Sequence, residues 1–364
     1  MTVLNLKNDQ RKEGMYPLFL GQEMGLYDSV HVTYPELFSI YKSLKAKDWS
    51  EDEVDLTQSR MDFETCGKSQ YDVMIKTIAW QWELDSMAAR AVAPLLAPFV
   101  TNSEYWAGIS YISQNEVLHA LTYSEIARQC IRNVEELFQE VEKNDSITDR
   151  GKYLVDVFDE LEAMGAKYKL GLVDKDDEEV KEILVKAVFA LYCLEQISFM
   201  ASFACTFALA EQEVFMGIAK LVQKIMIDEN DHTLYGKETV RIISTYPEWQ
   251  PTIKKLSEKW IPDFFNECVA REEEWADYIF SEGRTVLGLT PELLKEWVAY
   301  KATPLAEELH IPFSKASKTN PLPWMDVWMD IDGTQSPNQE VENTNYLMNS
   351  ITDDIGDDTM DFDL

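Results

Sequence analysis

The sequence predicts an all-α fold, a bundle of long helices with its chemistry held between them, and three observations lead there. Apolar residues recur at three- and four-residue steps through most of the 364-residue chain. No segment alternates with period two for long enough to make a strand, and no repeat of roughly 20 to 50 residues is present. Two of the helical stretches carry a Glu-x-x-His pair on an otherwise apolar background. With 46% hydrophobic residues the chain can bury a substantial core, as one large domain or as two smaller ones.

Residues 1–65 mix turn signals with short apolar pieces and are expected to wrap the core with one or two short helices. Trp49 precedes an acidic run, EDEVD, that can open a helix. From about Gln70 to Phe99 the period is helical, and Met74, Ile78, Trp82, Asp85 and Ala89 lie on one stripe. Asp85 therefore falls on an apolar face with no helix start nearby to explain it as a cap. Asn102 and Ser103 open the next helix, which carries Glu116, His119 and Tyr123 at steps of three and four, so the three share one face. The polar run EKNDSITDR, at 142–150, reads as a loop, and another helix covers roughly Lys152 to Met164.

The acidic run DKDDEEVKE then leads into a long apolar helix, since acids favour a helix N-terminus. Its stretch Ala187 to Ala210 could span a bilayer, which takes ~20 residues. Glu195 and Gln196 sit near its middle, however, and it is the single segment of this kind, so it reads as the central helix of a bundle. From Gly217 a further helix carries Glu229 and His232, and others are expected at about Pro251 to Ser281 and Pro291 to Glu308. From Thr319 to Leu364 there is no Lys or Arg, which predicts a flexible acidic tail. Its spaced apolar residues Tyr346, Leu347, Ile351, Ile355, Met360, Phe362 and Leu364 suit a peptide that folds onto a partner. The expected division is a wrapping segment (1–65), a helical domain (66–318) and a tail (319–364).

A net charge of −32 without a dense basic stripe argues against nucleic acid as a partner. Five widely spaced cysteines without a CxxC suit a reducing compartment. The N-terminus lacks an apolar signal core, so the expectation is a cytoplasmic protein with no membrane segment.

Each of the four histidines has an acid three residues upstream, so the pattern needs context. Asp28 with His31 has no helical period around it, and Glu307 with His310 lies where Pro312 must end a helix. Glu116 with His119 and Glu229 with His232 survive. Added to a lone acid from each of two other helices, Asp85 and Glu195, they form the donor set of a dinuclear carboxylate centre in a four-helix bundle. Four carboxylates are neutralised by two divalent ions, and oxygen-rich ligands with one imidazole per metal favour iron or manganese over zinc or copper. Phe199, Phe203 and Ile225 fall at helical steps from Glu195 and Glu229, either as ordinary core or as a cage around Tyr123.

Taken together, Asp85, Glu116-x-x-His119 with Tyr123, the stretch LEQISFMASFACTFALAE from Leu194 to Glu211, and DENDH from Asp228 to His232 resemble the small, radical-generating subunit of class I ribonucleotide reductase, most closely the class Ia branch. The resemblance runs from about Trp49 to the C-terminus and includes NPLPW at 320–324. It implies a ferritin-like homodimer in which Asp85, Glu116, His119, Glu195, Glu229 and His232 hold two iron ions per chain, with manganese or a mixed pair as variants. It further implies that oxygen is used to form a radical on Tyr123, and that Trp49 and Asp228 pass the oxidising equivalent outward with His119. Tyr346 would relay it to a large subunit that binds the tail and reduces ribonucleotides. Spacing alone reads Trp49 as a core aromatic and Tyr346 as a tail anchor, so those two roles rest on the resemblance. Asn230 and Asp231 depart from the family pattern, which has small and apolar residues there. The rival readings are another dinuclear oxidase or oxygenase and a ferritin-like iron store, neither of which accounts for the tail.

Overall fold

The structure, a computed structural model, describes residues 4–8, 10 and 16–330, and among these there is no strand, only isolated bridges. The helices are α1 (Pro35–Ala46), α2 (Thr57–Thr65), α3 (Lys68–Ala91), α4 (Ala93–Leu96), α5 (Ser103–Cys130), α6 (Val134–Lys143), α7 (Asp145–Lys169), α8 (Glu178–Cys193), α9 (Met200–Ala210), α10 (Met216–Ile243), α11 (Gln250–Ser257), α12 (Trp260–Ile279), α13 (Pro291–Glu308) and α14 (Met325–Met329). A ferritin-like core is built from α3, α5, the rod α8–α9 and α10, and the remaining helices pack around it.

Local chemistry sets the ends of these core helices. Asn102 caps α5 by accepting hydrogen bonds from the amides of Glu104 and Tyr105. The Glu104 carboxylate in turn accepts from the amides of Thr33 and Tyr34, which ties the wrapping segment to the bundle. Phe215, in the left-handed region at φ 62°, turns the chain into α10. The orphan amides there are taken by α2: Phe215 N–H donates to Asp62 Oδ2 at 2.8 Å and Ile218 N–H to Ser59 Oγ at 3.3 Å. Gly108 lets α5 and α10 approach closely, because a Cβ there would lie 2.2 Å from the Tyr235 hydroxyl.

The apolar segment is a core helix. Of the most apolar window in Glu178–Ala210, 89% is buried inside the protein. It is not one regular helix as its periodicity implies, because residues Leu194–Ser198 form a π-helical segment between α8 and α9. The run 142–150 is not a loop. Only Asn144 breaks the helical path, and it caps α7 through the Ser146 amide. The polar residues of the run are the solvent face of α7, while Ile147 and Arg150 point inward. Pro251 to Ser281 is likewise two helices, broken at Lys259 (φ −147°, ψ −59°).

Residues 319–330, placed with the tail on composition, lie on the body. Leu322 and Met325 are buried, and the Trp328 ring stacks on Phe207 at 4.7 Å while its indole N–H donates to Glu211 at 2.9 Å. Tyr346 and the apolar residues after it lie outside the described residues.

Candidate metal centre

Six predicted ligands from four elements meet at one buried point. Asp85 comes from α3, Glu116 and His119 from α5, Glu195 from the π segment, and Glu229 and His232 from α10. They form two overlapping quartets, Asp85–Glu116–His119–Glu229 and Glu116–Glu195–Glu229–His232, with the ligand atoms of each within 4.8 Å of one another. Glu116 and Glu229 belong to both, so each could serve either of two ions. The two imidazoles stack at 5.8 Å. His119 Nδ1 lies 3.0 Å from Glu229 Oε1, and His232 Nδ1 lies 2.9 Å from Glu116 Oε1 and 3.0 Å from Glu229 Oε2.

Glu195 lies in the π segment, whose wider turn breaks the α-helical register between α8 and α9; Phe199 is the residue before α9 begins at Met200. The segment is pinned from outside by Gln196, whose amide donates to the Lys301 carbonyl at 2.7 Å.

Both oxygens of Asp85, Glu116 Oε2, one oxygen of Glu195, His232 Nε2 and the Tyr123 hydroxyl are buried without a hydrogen-bond partner. Such a concentration of orphaned polar atoms is costly unless cations complete it. The electrostatics of the bare site say the same. Burial, then repulsion from Glu116, pushes the Asp85 carboxyl well above the usual range; burial, then Glu229, does so for Glu195. Burial opposes a charge on either histidine, but for His119 the carboxylates of Asp228, Glu116 and Glu229 outweigh it and raise its pKa. Glu229 and Glu116 do the same for His232, raising it to about 10. Two divalent ions would replace those protons. The donor set therefore fits a dinuclear centre, and no other comparable cluster occurs among the described residues.

Trp49, Asp228 and Tyr123 lie around this cluster. Trp49 Nε1–H donates to Asp228 Oδ2 at 2.8 Å, and His119 Nε2 meets the same oxygen at 3.2 Å. With Nε2 engaged by Asp228, Nδ1 is the His119 nitrogen that faces the carboxylates and would be the one to hold a metal. The Trp49 and His119 rings stack at 6.1 Å and 19°. Tyr123 is fully buried, and burial, then the charge of Asp85, raises its pKa well above that of a free phenol. Phe199 and Phe203 stack at 5.5 Å, and both are sealed from solvent together with Ile225. His31 and His310 lie at the surface, away from the cluster.

Three residues escaped the sequence reading. Asn115 donates to Asp228 Oδ2 at 3.3 Å, but nothing in its spacing marks it apart from adjacent Glu116. Gln81, fully buried with neither amide atom paired, lies one turn before Asp85 on the same stripe and could have been found by that step of four. Lys47 explains the departure at Asp231: the two pair at 2.8 Å, with Ser43 Oγ adding a bond at 3.0 Å, so the charge that replaces an apolar residue is matched from α1.

Residues 27–321 match the family model described as ribonucleotide reductase, small chain. The ribonucleoside-diphosphate reductase subunit beta of Haemophilus influenzae is 28% identical over 370 residues, covering 98% of this chain and 96% of the relative. The ribonucleoside-diphosphate reductase 1 subunit beta of Escherichia coli O157:H7 is 27% identical over 383 residues, covering 100% and 99%. Among solved structures, the ribonucleotide reductase R2 subunit from Clostridium botulinum superposes with a TM-score of 0.72 at 19% identity, covering 86% of this chain and 94% of that one. The dimanganese(II)-NrdF of Streptococcus sanguinis gives a TM-score of 0.67 at 17% identity, covering 84% and 99%.

Proposed function

Because the chain belongs to the ribonucleotide reductase small-chain family, and so is the small subunit of an oxidoreductase, we propose that it generates and exports a tyrosyl radical. The observation that carries the reading is the buried phenol of Tyr123 beside a complete dinuclear donor set, with the Trp49–Asp228–His119 line leading from that set outward. Asp85, Glu116, His119, Glu195, Glu229 and His232 hold the metals. Two iron ions held there would supply the means to use dioxygen as the oxidant of Tyr123; manganese would suit the same oxygen-rich donors, and a structural neighbour is dimanganese(II)-NrdF.

The protein's own residues do the rest. Burial, then the nearby carboxylates of Asp85, Glu229 and Glu116, keep the Tyr123 phenol protonated at rest. Phe199, Phe203 and Ile225 keep water and reductants from the oxidised ring. Asp228 holds the Trp49 and His119 rings parallel by accepting from both, which orients a path for the oxidising equivalent. Tyr346 relays it to the large subunit, to which the tail binds, and ribonucleotide reduction takes place there. The family implies that large subunit as the partner. The exposed apolar face of α5, with Val117 and Leu121, supports pairing with a second copy. Free cysteines support a cytoplasmic location.

A substrate-oxidising enzyme is the poorer reading. The cavity that reaches Glu195 and His232, lined by Tyr105, Ile109, Val188 and Tyr235, has a volume of about 30 Å³, room for a diatomic or a water and not for an organic substrate. The test is turnover of a ribonucleoside diphosphate by iron- and oxygen-treated protein with its large subunit. Parent protein is expected to turn over. Tyr346→Phe should bind the large subunit normally and give no product, and truncation after Ser350 should abolish binding. Normal turnover by Tyr346→Phe would refute the relay.

A further inference from the structure

Four side chains from α3, α7 and α12 converge on Ser198, the last residue of the π segment that carries Glu195. The Ser198 carbonyl accepts from Trp80 Nε1 at 3.2 Å and from Arg150 Nη2 at 3.3 Å. The Ser198 hydroxyl lies 3.2 Å from the Tyr153 hydroxyl and 3.6 Å from Cys268 Sγ. Arg150 is itself held, since Nε and Nη2 donate to the two oxygens of Glu272 and the guanidinium lies between the Trp80 and Trp275 rings at 4.0 and 4.2 Å. Trp80, Arg150, Ser198, Cys268, Glu272 and Trp275 are all buried.

Stability alone does not account for a charge at this place. Well-packed apolar residues commonly replace a buried ion pair without loss of stability, so the fold does not need Arg150 and Glu272 as ions. What an N–H donor alone can do here is satisfy a buried carbonyl where the backbone ladder changes from the π to the α register. On the other side of the same turn Gln196, next to Glu195, donates to the Lys301 carbonyl of α13 at 2.7 Å. Trp80 belongs to α3, the helix that supplies Asp85, so the helix bearing one lone acid also fixes the segment bearing the other.

Resting on the dinuclear centre of the reading above, we propose that Arg150 and Trp80 are positioning residues for the metal site: by holding the Ser198 carbonyl they keep the π segment in the turn that presents Glu195 to one of the two ions. The two ligand quartets make the consequence one-sided. Glu195 belongs only to the quartet with His232, whereas Asp85 and His119 complete the other without it. Releasing the Ser198 carbonyl therefore weakens the ion that Glu195 serves and spares its neighbour. A general loss of stability makes no such distinction.

The test titrates the metal-free, full-length protein with manganese(II), counts the unbound ion by electron paramagnetic resonance, and records the melting temperature alongside. Trp80→Phe keeps a ring beside Arg150 but loses the indole donor. Arg150→Met combined with Glu272→Leu removes the guanidinium together with its counter-charge, so that no carboxylate is stranded. In both variants the tighter manganese should bind as in the parent and the other about 10–100-fold more weakly, the range expected when a group that orients a metal ligand is lost. Leu161→Ala, which opens a cavity about three turns further along α7, should lower the melting temperature and keep both ions at parental affinity. Parental affinity for both ions in either of the first two variants, or equal weakening of both ions, overturns the proposal. So does a Leu161→Ala protein that loses the one ion as they do. A parent protein that binds fewer than two manganese ions would instead overturn the dinuclear reading on which the proposal rests.

Discussion

Gly108 offers a sharp test of how the fold positions the metal ligands. It lies on α5 two turns before Glu116, and an added Cβ would sit 2.2 Å from the Tyr235 hydroxyl oxygen and 2.4 Å from Cζ. Non-bonded heavy atoms prefer ~3.5 to 4.0 Å, so Gly108→Ala forces α5 and α10 apart by roughly 1 Å or expels the Tyr235 ring. Overpacking of the first kind costs about 1–3 kcal/mol. Expulsion breaks the bond from Tyr235 to the Tyr105 carbonyl, 3.0 Å long and buried, and leaving buried groups unpaired costs a similar ~1–3 kcal/mol. Separation also moves Glu116 and His119 away from Glu229 and His232, whose ligand atoms must stay within a few ångströms to share ions. Gly108→Ala should lower both the melting temperature of the metal-free protein and the iron bound per chain. Adding Tyr235→Leu, which removes the obstructing phenol, should restore much of both. If Gly108→Ala matches the parent in melting temperature and iron content, close approach at this glycine does not set the site's geometry.

Other predictions follow from single contacts. Glu116→Ala, Glu195→Ala and His232→Ala should each sharply reduce bound iron, whereas His310→Ala at the surface should not, as read by metal analysis. Asp228→Asn keeps the shape but loses the charge that accepts from Trp49 and His119. It should retain two metals and form the Tyr123 radical while turnover falls about 10–100-fold. Arg150 holds buried Glu272 through Nε at 2.7 Å and lies between Trp80 and Trp275 at 4.0 and 4.2 Å. Arg150→Ala strands that carboxylate at a cost of ~3–5 kcal/mol, whereas Arg150→Met combined with Glu272→Leu should fall near the parent in melting temperature.

The convergence of Asp85, Glu116, His119, Glu195, Glu229 and His232 was legible because each is an ionisable group on an apolar helical stripe, a conflict that periodicity exposes. Asp85 and Glu195 stood out for that reason alone, and the surface pairs at His31 and His310 were removed by their context. The π segment was not legible, since one inserted residue in a nearly all-apolar helix leaves no break in the pattern. At 142–150 a polar run was read as a loop because solvent-facing turns of α7 and α6 adjoin across one residue, Asn144. Residues 319–330 carry the composition of the tail, yet Trp328 finds Phe207 and Glu211, partners more than a hundred residues away. Asp231 looked anomalous in sequence for want of Lys47, which α1 supplies only in three dimensions.

The central claim is that this site holds two metals in order to oxidise Tyr123. Metal-free protein is given ferrous iron and oxygen, the iron bound per chain is counted, and electron paramagnetic resonance is recorded for parent and Tyr123→Phe. The account predicts two irons per chain in both proteins, a tyrosyl signal in the parent, and none in the variant, where only a hydroxyl has gone and the six ligands remain. Two irons with no tyrosyl signal in the parent, or the same signal in Tyr123→Phe, would contradict it.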